Sequence, residues 1–195
     1  MPRALIAFVR LVDRLNYRVG RMAMYLLFVL MGILLWSSLT TAAGSPALWT
    51  LEMAQFTMVA YYILGGPYSM QMGSHVRMDL FYASWSPYRA AMLDAFTVLV
   101  LIFYLGVMVW GAVDSMVYSL GLRWTWTEVA WLPVDLPWPS TGFMERSPTA
   151  WRPYLWPIKL ILIVGFVLML LQSLAQLVRD IAILRGATIQ DFVRP

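Results

Sequence analysis

The sequence predicts an all-α integral membrane protein: four transmembrane helices, both termini cytoplasmic, and a long Trp/Pro-rich outer loop between spans three and four. Three observations predict it. Hydrophobic residues make up 61% of the 195 and charged residues 12%, with a mean hydropathy of +0.70, a balance that suits a bilayer rather than water as solvent. Four apolar runs are each long enough for a hydrocarbon core about 30 Å thick, which takes about 20 helical residues. The basic residues gather at alternate boundaries of those runs, the pattern by which loop charge orients a membrane chain. The net charge of +4 and the pI near 9.6 are therefore read as topology signals, and no nucleic-acid partner is expected.

Span one covers about 22–42. Arginines at 3, 10, 14, 18 and 21 precede it, and the charge-free run from Met22 to Leu51 far exceeds a signal-peptide core of roughly 7 to 15 residues. "TTAAGSPA" at 40–47 has the small residues of a cleavage site, but the run is long enough to span before it, so an uncleaved anchor is expected. "GSP" at 44–46 breaks the helix, and a turn without basic residues leads into span two, about 53–72, as a tight helical hairpin. Span two carries "LGGPY" at 64–68, where Pro67 after two glycines is expected to kink the helix or unwind its end. A loop with Arg77 and Arg89, bounded by "GSH" and "SWSP", precedes span three at about 90–117, whose centre from Ala95 to Val113 is free of charge. Span four, about 158–178, follows Pro157, which suits a first helical turn, and a tail with Arg179, Arg185 and Arg194 follows it. The chain, 1–195, thus reads as a single four-helix membrane domain.

The outer loop, about 118–157, holds six of the ten tryptophans and six of the eleven prolines. Its Arg123, Arg146 and Arg152 are offset by Glu128, Asp135 and Glu145, so it does not upset the charge alternation. Two readings fit it. The tryptophans form an aromatic belt against membrane lipids at headgroup level, or Trp124, Trp126, Trp131 and Trp138 form an outer docking surface on a proline-stiffened backbone.

Helix packing has no GxxxG motif to rely on, which leaves scattered small residues such as Gly32, Ala60, Gly106, Gly111 and Gly165. Asp94 and Asp114 stand twenty residues apart, about 30 Å along a helix, and read as interface residues at opposite ends of span three. Glu52, in the first turn of span two, reads as a helix cap or a partner contact, and Lys159 as a snorkelling cation. The chain has no cysteine and one histidine, which removes thiolate chemistry, structural zinc and a bis-histidine haem. No catalytic residue, metal or cofactor is expected, and the protein is not expected to be an enzyme.

"GSHVRMDLF" at 73–81 places His75, Arg77 and Asp79 on alternate positions. As a helix it would pair His75 with Asp79 at i and i+4; as an extended segment it would put all three on one face. Either way it is amphipathic and borders the cytoplasmic membrane surface.

Glu52, the stretch "YYILGGPYSMQMGSHVRMDLFY" at 61–82 and "LWPIKLILIVGFVLMLLQSLAQLVRDI" at 155–181 together resemble the small membrane subunit (DctQ-like) of tripartite ATP-independent periplasmic (TRAP) transporters. The likeness covers most of 20–182. It implies an accessory scaffold subunit of a secondary transporter in the bacterial inner membrane. Its partners would be a large TRAP permease subunit, which carries the substrate and sodium sites, and a periplasmic substrate-binding protein delivering an organic acid or similar anionic solute. On this resemblance Glu52, Gly65, Gly66, His75, Arg77 and Asp79 form a structural and subunit-contact motif, and no transport residue carries over. The long outer loop departs from compact members. A stand-alone oligomeric channel or transporter, and a membrane anchor subunit of a redox complex, are the other readings.

Overall fold

The computed structural model describes residues 3–72, 87–128, 135–141 and 144–185. Its elements in order are α1 (Arg3–Ala42), α2 (Thr50–Gln71), α3 (Pro87–Ser119), β1 (Leu122–Glu128), β2 (Asp135–Thr141) and α4 (Trp156–Leu184). α1 packs along α2, α2 along α4, and α4 along α3, while α1 also reaches α4. The helices therefore follow the order α1, α2, α4, α3, with α3 at one edge. One end of the molecule carries the β-ribbon and the other the starts of α1 and α3 and the end of α4.

Each expected span falls inside one helix, save that Met72 stands at the C-cap of α2. Among the described residues, three stretches are long and apolar enough to cross a bilayer: Ala4–Ala42, Met92–Ser119 and Trp156–Ala182. α2 is not among them, because its 22 residues include Glu52, Gly65, Gly66, Pro67 and three tyrosines. It lies instead between α1 and α4, where polar groups find neighbours. α1 has 40 residues, about 60 Å at 1.5 Å per residue, roughly twice a hydrocarbon core. The α1–α2 turn closes as "GSP" predicts: Gly44 takes φ +77°, and the Ala43 and Ser45 N–H groups donate to the Leu39 and Thr40 carbonyls at 3.0 and 3.1 Å.

The four helices are those of the expected all-α fold, and the outer loop adds a short β-ribbon to them. β1 and β2 pair antiparallel, in register from Leu122 opposite Thr141 to Glu128 opposite Asp135. "RWTWTE" alternates β-branched and aromatic residues, a strand pattern that composition alone does not reveal. Pro137 and Pro139 occupy alternate positions of β2, so both missing N–H groups fall on one side of an edge strand, where proline is tolerated.

α2 continues four residues past Pro67, so its end is helical rather than unwound. Pro67 has no N–H for the Ile63 carbonyl. That carbonyl faces Gly165 of α4: a Cβ built there would stand 3.1 Å from the Ile63 oxygen and 2.0 Å from Ile63 Cγ2. The absence of a side chain at 165 lets the α4 backbone approach the turn that proline has loosened, and Cα–H groups are the donors available to the freed oxygen. Ala60 is also buried, but a Cβ at Gly32, Gly106 or Gly111 would meet nothing within 4 Å, so among the described residues these three make no close helix contact. Gly20, by contrast, packs against Tyr68, whose Cβ would lie 2.3 Å from an added one. Gly165→Val is therefore expected to lose about 1–3 kcal/mol through overpacking, while Gly32→Ala gains about 0.5–1 kcal/mol from helix propensity. Thermal unfolding in detergent distinguishes them, and equal midpoints would refute the close contact.

Candidate functional site

At the ribbon end, the segment between β2 and α4 folds back on itself. The Leu155 N–H donates to the Glu145 carbonyl at 3.3 Å and the Ser147 N–H to the Pro153 carbonyl at 2.9 Å. Arg146 hydrogen-bonds the Tyr154 hydroxyl and lies 4.3 Å from the ring centroid. Arg152 adopts φ +50°, a left-handed conformation rare outside glycine, held by this ladder on either side. The Glu145 N–H donates to the Ser119 carbonyl at 3.0 Å, which fastens the loop to the end of α3.

Lys159 completes that fastening. From the first turn of α4 its Nζ reaches Glu145 Oε2 at 2.5 Å and the Ser115 carbonyl at 3.2 Å, with the Tyr118 ring 5.7 Å away. The expected snorkelling thus ends in an ion pair joining α3, α4 and the loop. The Lys159 hydrogen bond holds the Glu145 carboxyl below its ordinary 4.5, against the opposing effect of burial. A depressed carboxyl pKa stabilises the fold above the unfolded value, and this contribution is lost as pH falls below 4.5 through the folded value. Lys159→Gln is accordingly expected to flatten the acid limb of a stability–pH profile by on the order of 1 kcal/mol. Parallel acid limbs in the two proteins would count against the pair.

Glu52 is 3% exposed and stands in the first turn of α2, beside this loop. Its Oε1 accepts from the Ser147 hydroxyl at 3.5 Å, and its Oε2 has no partner among the described residues. It makes no capping bond to a first-turn N–H; the helix instead opens at Trp49 without a side-chain cap. Its carboxylate tethers the loop to α2 and benefits from the helix dipole.

A second polar constellation lies at the terminal end. Asn16 Nδ2 donates to Gln172 Oε1 at 2.6 Å, and Gln172 Nε2 donates to Asp13 Oδ1 at 3.2 Å. Asp13 also pairs with Arg179, whose Nη1 donates to Gln176 Oε1 at 3.3 Å; Gln176 Nε2 in turn donates to Asp180 Oδ1 at 3.0 Å. Asn16 and Gln172 are each 1% exposed, and the seam is closed on one side by Val9, Val12 and Ala175. The sequence reading missed this seam. Its signal was an amide inside the apolar run of span four and another at the matching height of α1, a pair able to hydrogen-bond from helix to helix.

Of the residues singled out from sequence, His75, Arg77, Asp79 and Trp131 lie outside the described residues. Trp124 and Trp126 occupy β1 positions opposite Pro139 and Pro137, and Trp138 stands opposite Thr125. Gly65 lines a groove between α1 and α2, while a Cβ on Gly66 would lie 3.1 Å from Met169 Sδ of α4. Glu52 and the two glycines therefore sit at three different contacts of α2. Asp114 is exposed on α3 among Val113, Trp110 and Val117. Among the described residues, no group of three or more His, Asp or Glu side chains is placed to hold a metal ion.

No curated protein and no solved structure matches the chain. A family model does, over residues 30–183, a stretch that takes in the last third of α1, all of α2 and α3, the ribbon, the loop pinned by Glu145 and Lys159, and nearly all of α4. The chain belongs to the DctQ family, the DctQ component of tripartite ATP-independent periplasmic transporters.

Proposed function

We propose that the protein is the small permease subunit of a TRAP-type secondary transporter, a scaffold that holds a large permease subunit in the inner membrane while a periplasmic binding protein delivers an organic acid or similar anionic solute. All four helices span, with the terminal end cytoplasmic and the ribbon end periplasmic. That orientation rests on five arginines before residue 22 and none in the α1–α2 turn. His75, Arg77 and Asp79 stabilise the cytoplasmic turn or meet the large subunit, and the ribbon tryptophans form the periplasmic docking surface.

One observation carries the scaffold reading. The charged side chains buried among the described residues, Glu52 and Asp180, lie at opposite ends of the helices, and none is buried midway. Substrate and ion paths are commonly marked by ionisable groups at membrane depth. Here the polar side chains join helix to helix and helix to loop. Meanwhile α3 presents Phe103, Val107 and Trp110 outward, 74%, 54% and 81% exposed, an apolar surface for lipid or a larger partner.

Co-expression with a large permease subunit and its binding protein tests the proposal. The chain is expected to purify with the large subunit, and uptake in proteoliposomes is expected to require both. If it purifies without a larger membrane protein and moves solute alone, the scaffold role is wrong.

A further inference from the structure

Arg10, Arg14, Arg18 and Arg21 are all exposed. At 100° per residue they fall within an arc of about 80° on α1. The buried Val9, Val12, Asn16, Gly20 and Ala23 lie on the opposite side. Beside the arginine stripe, Leu11, Leu15 and Met22 are 67%, 42% and 73% exposed. A helix end projecting into water would gain nothing from such leucines, whereas a boundary between acyl chains and phosphates accepts both strips. An acidic protein surface would match the arginines but not the apolar strip next to them.

A groove of about 490 Å³ between α1 and α2 opens at the same place, lined by Gly20, Met24, Tyr62, Gly65, Ser69 and Met72. Arg21 is linked to its wall through two tyrosines: its Nη1 donates to the Tyr17 hydroxyl at 3.2 Å and its guanidinium lies 5.7 Å from that ring, which stands 5.9 Å from Tyr68 at the groove wall. A guanidinium fixed in this way is prepared for bidentate contact with a phosphate.

We propose that this face of α1 and the α1–α2 groove bind an anionic phospholipid, with the phosphate on Arg21 and the neighbouring arginines of the stripe and an acyl chain in the groove. The site goes beyond the scaffold role and requires no transport partner. Only the leaflet it faces depends on the orientation proposed above.

The test uses the full chain alone, assembled in nanodiscs of equal phosphatidylglycerol and phosphatidylcholine, with the lipids retained on re-extraction measured by native mass spectrometry. Phosphatidylglycerol is expected to be enriched about fivefold in the retained lipid, since each basic residue near an anionic surface has a preference of that order. Arg21→Gln should lower the enrichment about two- to fivefold, and replacing all four arginines by glutamine should abolish it without changing total retained lipid. Gly65→Leu fills the groove from a position where a Cβ meets nothing within 4 Å, and should reduce the number of retained lipids at unchanged helix content. Recovery of the two lipids in their bulk ratio, or equal enrichment in the four-glutamine variant, would overturn the proposal. So would unchanged retention in Gly65→Leu, which would assign the stripe to phosphate alone. A stripe indifferent to lipid that becomes shielded from an arginine-specific reagent only when a large subunit is added belongs to a protein contact, and the lipid assignment is then wrong.

Discussion

Gln172→Leu is expected to destabilise the protein by about 2–5 kcal/mol, although leucine is close to glutamine in size. The cost arises from what remains. Asn16, 1% exposed, loses the acceptor 2.6 Å from its Nδ2, and Asp13 loses one of its two partners, keeping Arg179. Each polar group left buried without a partner costs about 1–3 kcal/mol. Within a bilayer such losses are smaller, averaging about 0.6 kcal/mol for an interhelical hydrogen bond, because the separated helices find other partners. Asp13 and Asn16, however, precede the charge-free run that begins at Met22, so both are hydrated when the seam opens and the larger scale applies. The double variant Asn16→Leu/Gln172→Leu removes both sides of the Asn16–Gln172 bond and should recover roughly half of the loss. Unfolding of the four proteins of this cycle in detergent measures it, and a single variant within about 0.5 kcal/mol of wild type would show that the seam is not a fastening.

The parts legible in the sequence are those decided by run length and boundary chemistry. Charge-free stretches of about 20 residues located the helices, and "GSP" and Pro157 marked a turn and a helix start because glycine and proline act locally. What was not legible depends on residues far apart in the chain. Gly165 was noticed as one small residue among several, but nothing near it indicates that the carbonyl released by Pro67 faces it. Gly32, Gly106 and Gly111 look identical in sequence, yet a Cβ added at any of them would meet nothing within 4 Å among the described residues. Glu145 and Lys159 were read separately, as an offsetting charge and a snorkelling cation, though the fold joins them. The ribbon was missed for a different reason: counting tryptophans and prolines discards the period-two order that makes "RWTWTE" a strand. The terminal seam lay hidden in plain amides, which are silent in any count of charges.

Deletion of residues 124–140, closed with a short glycine linker, is expected to reduce uptake to background while leaving membrane insertion and yield unchanged. The register makes the excision structurally mild, because Leu122 and Thr141 are paired and the cut ends are already adjacent. The remainder of the loop has its own attachments, with Glu145 bound to Lys159 and to the Ser119 carbonyl, and Ser147 to Glu52, so the α3–α4 hairpin keeps its fastening. A two-stranded ribbon adds little stability of its own to a helical membrane protein. Its loss should therefore be felt where it contacts something else. Under the proposed role that partner is the periplasmic binding protein or the large subunit, since aromatic side chains on a stiff backbone concentrate binding free energy at little entropic cost. Uptake by the full complex in proteoliposomes, normalised to the amount of chain inserted, separates the two readings of the tryptophans. Loss of uptake with intact assembly of the membrane subunits assigns the ribbon to the binding protein; loss of assembly assigns it to the large subunit. Unchanged uptake would mean that the tryptophans rest in the headgroup layer and that docking takes place elsewhere on the periplasmic surface.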